Sequence, residues 1–97
     1  MAMAITRSPQ AIDDRLTYLL EEWEGLGQVE RRWAAMDSVE REVFHLEWAG
    51  VIEPRLRELS EWAAAGELSR EQLARFATLL ELVRKHRGFI NSVYAER

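Results

Sequence analysis

Cysteine is absent from the 97-residue chain, which excludes a disulfide framework, a thiol nucleophile and a thiolate metal site. Lysine occurs only at Lys85 and asparagine only at Asn91. There are two prolines and five glycines, so punctuation is sparse and each instance bears on where an element ends. No apolar run approaches the roughly 18 residues of a membrane span, and no signal-peptide core follows the N-terminus. Thirteen Lys+Arg stand against 17 Asp+Glu, for a formal charge of −4. A nucleic-acid binder draws its affinity from a net basic face, which this balance does not supply. Nucleophile elbows and phosphate loops are missing too. Gly25-Leu26-Gly27 lacks the third glycine and the preceding strand that a phosphate loop requires. On these grounds the chain is expected not to be an enzyme, to carry no cofactor and to engage neither nucleic acid nor membrane; a cytoplasmic location is the default expectation, which the lack of cysteine does not itself establish.

What is present is helical. At 47% hydrophobic and 31% charged residues, the chain can bury a core of the size one small domain needs. Residues 1–7 are expected to be disordered and 8–97 to form a single helical domain. Ser8-Pro9 has the chemistry of a helix start, with a capping hydroxyl followed by a residue that has no N–H to lose. Ile12, Leu16, Leu19, Leu20 and Trp23 then recur at spacings of three and four. Beyond Gly25 and Gly27 the stripe resumes with Val29, Trp33, Met36, Val39, Val43, Phe44, Leu46 and Trp48. Its phase favours a helix running on through Asp37, although Asp37 and Glu40 have the spacing of a capping box. Gly50 and Pro54 predict a break or sharp kink at 50–54, since Pro54 has no N–H and biases Glu53 away from the α region. A helix from Pro54 to Ala65 turns Leu56, Leu59, Trp62 and Ala63 inward, and Gly66 ends it.

Leu68-Ser69-Arg70-Glu71-Gln72-Leu73 reads as a capping box with a hydrophobic staple. The last helix, extending to about Ala95, carries Leu73, Phe76, Leu80, Val83, Ile90 and Tyr94 in one row, interrupted by Arg87. Leu79, Leu82, Phe89 and Val93 lie in a second row, so the apolar arc covers about half the circumference. The fold expected is all-α. It is a small antiparallel four-helix bundle, three helices long and one short, kinked at 50–54 and completed by dimerisation.

Two clusters have residue types that carry chemistry. Glu42 and His45 have the Glu-x-x-His spacing that places a carboxylate and an imidazole on one helix face, as in di-metal bundles. The motif occurs once, so a structural histidine is preferred and a metal or small-molecule site at Glu42 and His45 is the alternative. Arg84-Lys85-His86-Arg87 is the one basic cluster. Its place near a helix end, with Glu81 four residues before Lys85, favours a helix-stabilising role. The stretch Ile12 to Leu20 and the later Leu68 to Val83 are similar in apolar spacing to the small all-helical chorismate mutases. Trp23 stands where that family has its catalytic arginine, and the lysine expected later in that helix is missing. The resemblance implies no site here.

The wide arc on the last helix and four tryptophans exceed what a small bundle can cover alone. The expected function is therefore a non-catalytic helical interaction or self-association module, acting as a homo-oligomer (a dimer) or on a protein partner. Its contact residues are expected to be Trp48, Phe76, Leu80, Val83, Phe89, Ile90, Val93 and Tyr94, with Trp48 at the subunit boundary.

Overall fold

A computed structural model describes residues 7–96, which form three helical rods and, among the described residues, no strand. The first rod joins α1 (Pro9–Glu24) to α2 (Leu26–Arg32) and ends in a tight 3-10 turn, Trp33–Ala35. Ser8 caps it as expected, its hydroxyl accepting the Ala11 N–H at 3.1 Å. Gly25 does not stop the helix. It keeps a right-handed conformation, with its N–H donating to the Glu21 carbonyl at 3.0 Å. The carboxylates of Glu21, Glu22 and Glu24 thus do not lie at a free helix end, and no ion pair among the described residues joins them to Arg31 or Arg32.

The expected continuation through Asp37 is not what forms. Met36 and Asp37 are extended, and Asp37 starts α3 (Ser38–Glu47) with a complete capping box. Its carboxylate accepts the Glu40 N–H at 2.8 Å, while the Glu40 carboxylate accepts the Asp37 N–H at 3.3 Å. Arg41 reaches back and donates twice to the Trp33 carbonyl, at 3.1 and 2.7 Å, adding to the Met36 N–H that the same oxygen accepts at 3.2 Å.

The break predicted at 50–54 does not form; a local irregularity of the helix takes its place. Trp48–Ile52 forms a π-helical turn that leads directly into α4 (Glu53–Ala64). Glu53 stays in the α region at φ −62°, ψ −45°, and its N–H donates to Trp48, five residues back. The wider turn absorbs the proline without ending the rod. Gly66, at φ +78°, closes α4. Its N–H reaches the Ala63 carbonyl at 3.1 Å and the Glu67 N–H reaches the Trp62 carbonyl at 3.0 Å, the pair of bonds that defines a Schellman close.

The third rod is α5 (Arg70–Ala95), unbroken at Gly88. Its capping box is present: Ser69 accepts the Gln72 N–H at 3.2 Å, and Gln72 accepts the Ser69 N–H at 2.9 Å. The Gln72 amide also donates to the Pro9 carbonyl at 3.1 Å and to Asp13 at 3.0 Å, fastening the start of α5 to the start of α1. Leu68 enters the core, whereas Leu73 is exposed.

Helix α1 packs against both α4 and α5. Between the rods lie Ile12, Leu16, Leu19, Trp23 and Leu26 from the first, Trp48, Ile52, Leu56, Leu59 and Trp62 from the second, and Leu79 and Ile90 from the third. The molecule is elongated, 52 × 27 × 20 Å. Two guanidinium groups lie over the Trp62 ring, those of Arg7 at 4.5 Å and Arg15 at 4.6 Å from its centre. Arg7 also pairs with Glu67 at 2.9 Å, so it is tied to the fold; the rest of the segment expected to be disordered, 1–6, lies outside the described residues. The described residues contain no helix long and apolar enough to cross a membrane.

Candidate interaction surface

The face of α5 expected to meet a partner is largely occupied by its own chain. Its buried side chains are Gln72, Leu79, His86, Ile90 and Val93. With the half-buried Phe76 and Val83 they alternate at spacings of four and three, a seam of coiled-coil type turned toward the other rods. Ile90 and Val93 are therefore core, and Phe76, Val83, Phe89 and Tyr94 are half-buried beside it. Leu80, central to the row read as apolar, is 45% exposed. Two polar residues, Gln72 and His86, occupy the true seam, and this moved the apparent row one residue around the helix. Trp48 is also a correction: it is not at a boundary but buried, edge-on to Trp23 at 5.0 Å. All four tryptophans are buried within the chain.

His45 is buried and packs edge-to-face with Tyr94 at 5.0 Å and Trp33 at 5.7 Å. The Tyr94 hydroxyl donates to its backbone carbonyl at 2.9 Å. Glu42 is exposed, and no group of three or more His, Asp or Glu among the described residues is placed to hold a metal ion. The basic cluster is dispersed around α5. Arg84 pairs with Glu81, a partner the spacing had assigned to Lys85. His86 is buried, and Arg87 turns inward onto Glu53 at 2.6 Å.

On α5 the large apolar side chains left exposed are Leu73 and Leu80; the more fully exposed ones sit on α3. Val39, Val43 and Leu46 are 69%, 55% and 62% exposed. Their spacing of four and then three places them on one stripe of the helix. The opposite side of α3 holds Phe44, His45 and Trp48, which face the other rods. The sequence had joined both sets into one row. The distinguishing signal was available: a row containing both Val43 and Phe44, and both Leu46 and Trp48, is too wide for one face.

Beside this stripe lies a groove of about 150 Å³, with Leu26, Val29, Phe44 and Trp48 as its floor and Glu21, Glu22 and Glu47 at its rim. It is smaller than the ~300 Å³ and more of a typical small-molecule site. Burial, followed by the charges of Glu47 and Glu21, raises the Glu22 carboxyl from its ordinary value. Burial likewise raises Tyr18, with Glu22 adding to the effect and Arg55, over its ring at 5.1 Å, opposing it. Comparison with known proteins finds no matching family model, no similar characterised protein and no similar solved structure.

Proposed function

We propose that this protein is a non-catalytic helical interaction module whose contact surface is the outer face of α3. The observation that carries this reading is the exposure of Val39, Val43 and Leu46 on a capped helix whose other side is already packed. Large apolar side chains scattered singly over a surface need no explanation, but three in register on one helix face form a strip that a second amphipathic helix can cover. The contact anticipated on α5 thus moves to α3. One chain supplies three rods and the partner a fourth helix, and it is in this form that the expected four-helix assembly is carried forward.

The test uses a short synthetic helix with leucine and isoleucine at its seam positions and glutamine at the flanks. Fluorescence anisotropy should show binding in about the micromolar range. The Val43→Ser/Leu46→Ser variant should fold normally, because both positions are exposed, and should lose that binding. Failure of the wild-type chain to bind the peptide, together with failure to self-associate in sedimentation, overturns the reading.

A further inference from the structure

The residues beside the stripe say what kind of helix covers it. Val39, Val43 and Leu46 repeat as the d, a and d positions of a heptad, and the flanking e and g positions are then Glu40, Glu42 and Glu47. All three are exposed. The side facing the rods is made of the remaining positions, Arg41, Phe44, His45 and Trp48. Arg41, the one cation on α3, is engaged with the Trp33 carbonyl on that inner side. The outward seam is thus apolar in its centre and acidic on both flanks.

A second copy of this chain fits that seam badly. In a parallel pair, g meets e of the partner, which sets Glu42 against Glu47. In an antiparallel pair, like positions meet, and glutamate again faces glutamate. Like charges so placed oppose association. The groove adds Glu21 and Glu22 on the Glu47 side, over a floor of Phe44 and Trp48. One long side chain with an apolar stem and a cationic tip would satisfy both the floor and the rim. The raised Glu22 carboxyl agrees, since burial and its neighbours Glu47 and Glu21 disfavour its charge.

Resting on the interaction reading above, we propose that the occupant of this face is an amphipathic helix of a different protein, with apolar seam residues and Lys or Arg on its flanks. Opposite charges at e and g set partner choice in helical pairs, and here they select against self-pairing.

Three synthetic helices with the same seam and Lys, Gln or Glu at the flanks separate the possibilities. Binding by anisotropy at low salt should rank Lys, then Gln, then Glu, with about tenfold between the extremes, and added salt should narrow the gap. Glu42→Lys/Glu47→Lys, checked for helicity by circular dichroism, should invert the order. Val43→Ser/Leu46→Ser should lose the Lys helix as well. Equal affinity for all three helices overturns the basic-partner inference and leaves the interaction reading standing. So does a wild-type dimer that Val43→Ser/Leu46→Ser dissolves. Retention of the Lys helix by Val43→Ser/Leu46→Ser shows attraction by charge alone and overturns the proposal. Absence of any binding, with no wild-type self-association, overturns the interaction reading itself.

Discussion

Arg87 grips the carboxylate of Glu53 through two hydrogen bonds, at 2.6 and 3.2 Å, and so ties the third rod to the second. The same carboxylate accepts the indole N–H of Trp48 at 2.9 Å. The Arg87 guanidinium also lies over the ring of Trp23, 5.0 Å from its centre, which brings in the first rod. One half-buried ion pair thus touches all three rods just where the π turn passes into α4. Charge-assisted hydrogen bonds to a partly buried carboxylate contribute more than exposed pairs do.

Arg87→Ala should therefore destabilise the fold by about 1–3 kcal/mol. Arg84→Ala, which removes only the exposed pair with Glu81, should stay within about 0.5 kcal/mol. Urea unfolding of both variants makes the comparison. Equal losses would mean that the Arg87 contact is worth no more than a surface pair.

Gln72 holds more than its own cap. Ser69→Ala removes one capping bond and should cost about 0.5–2 kcal/mol. Gln72→Ala removes the reciprocal bond and both bonds to α1, at Pro9 and Asp13, so its loss should be the larger of the two. Thermal melts rank them. The opposite order would show that the link between α5 and α1 adds nothing to the cap.

Leu79 and Leu80 distinguish the seam that forms from the one the sequence suggests. Leu79 is fully buried, whereas Leu80 is 45% exposed. Leu79→Glu should abolish folding, because a buried unpaired carboxylate costs several kcal/mol. Leu80→Glu should give a folded chain, reversing what the apolar row implies. A folded Leu79→Glu protein with an unfolded Leu80→Glu protein would restore the original assignment.

Local chemistry in this chain was legible and global phase was not. Ser8, Gly66 and the Ser69–Gln72 box act as their residue types dictate, because caps are satisfied by neighbours within a few residues. Asp37 had the right spacing too, yet an apolar stripe in phase across it hid the stop. Pro54 was read by its missing N–H and its bias on Glu53; the π turn at Trp48–Ile52 accommodates both with tertiary support from Trp48 and Ile52, which no local rule supplies. On α5, Gln72 and His86 carry polar atoms into a seam that periodicity sought among leucines. The interaction face was hidden for the converse reason. Val39, Val43 and Leu46 are apolar and were read into one stripe with Phe44 and Trp48, and only the packing of Phe44, His45 and Trp48 shows which side of α3 is already covered.

Glu22 gives a prediction whose sign depends on pH. Its carboxyl is raised by burial, with Glu47 and Glu21 adding to the shift. Between the ordinary carboxylate pKa and this raised one, the native state keeps a proton that the unfolded chain has released. Stability therefore falls as pH rises through that window, and the cost is complete above it. Below the ordinary value both states are protonated and the cost vanishes. Glu22→Gln should then raise the melting temperature at neutral pH and leave it unchanged at a pH well under the carboxylate range. Glu24→Gln, which removes the same charge from an exposed position outside the groove, controls for net charge and should give a smaller gain at neutral pH. Melting curves of the three proteins at the two pH values decide it. A Glu22→Gln gain that persists in acid would assign the effect to packing of the amide rather than to charge. No gain at neutral pH would show that the carboxylates around the groove are not under mutual strain.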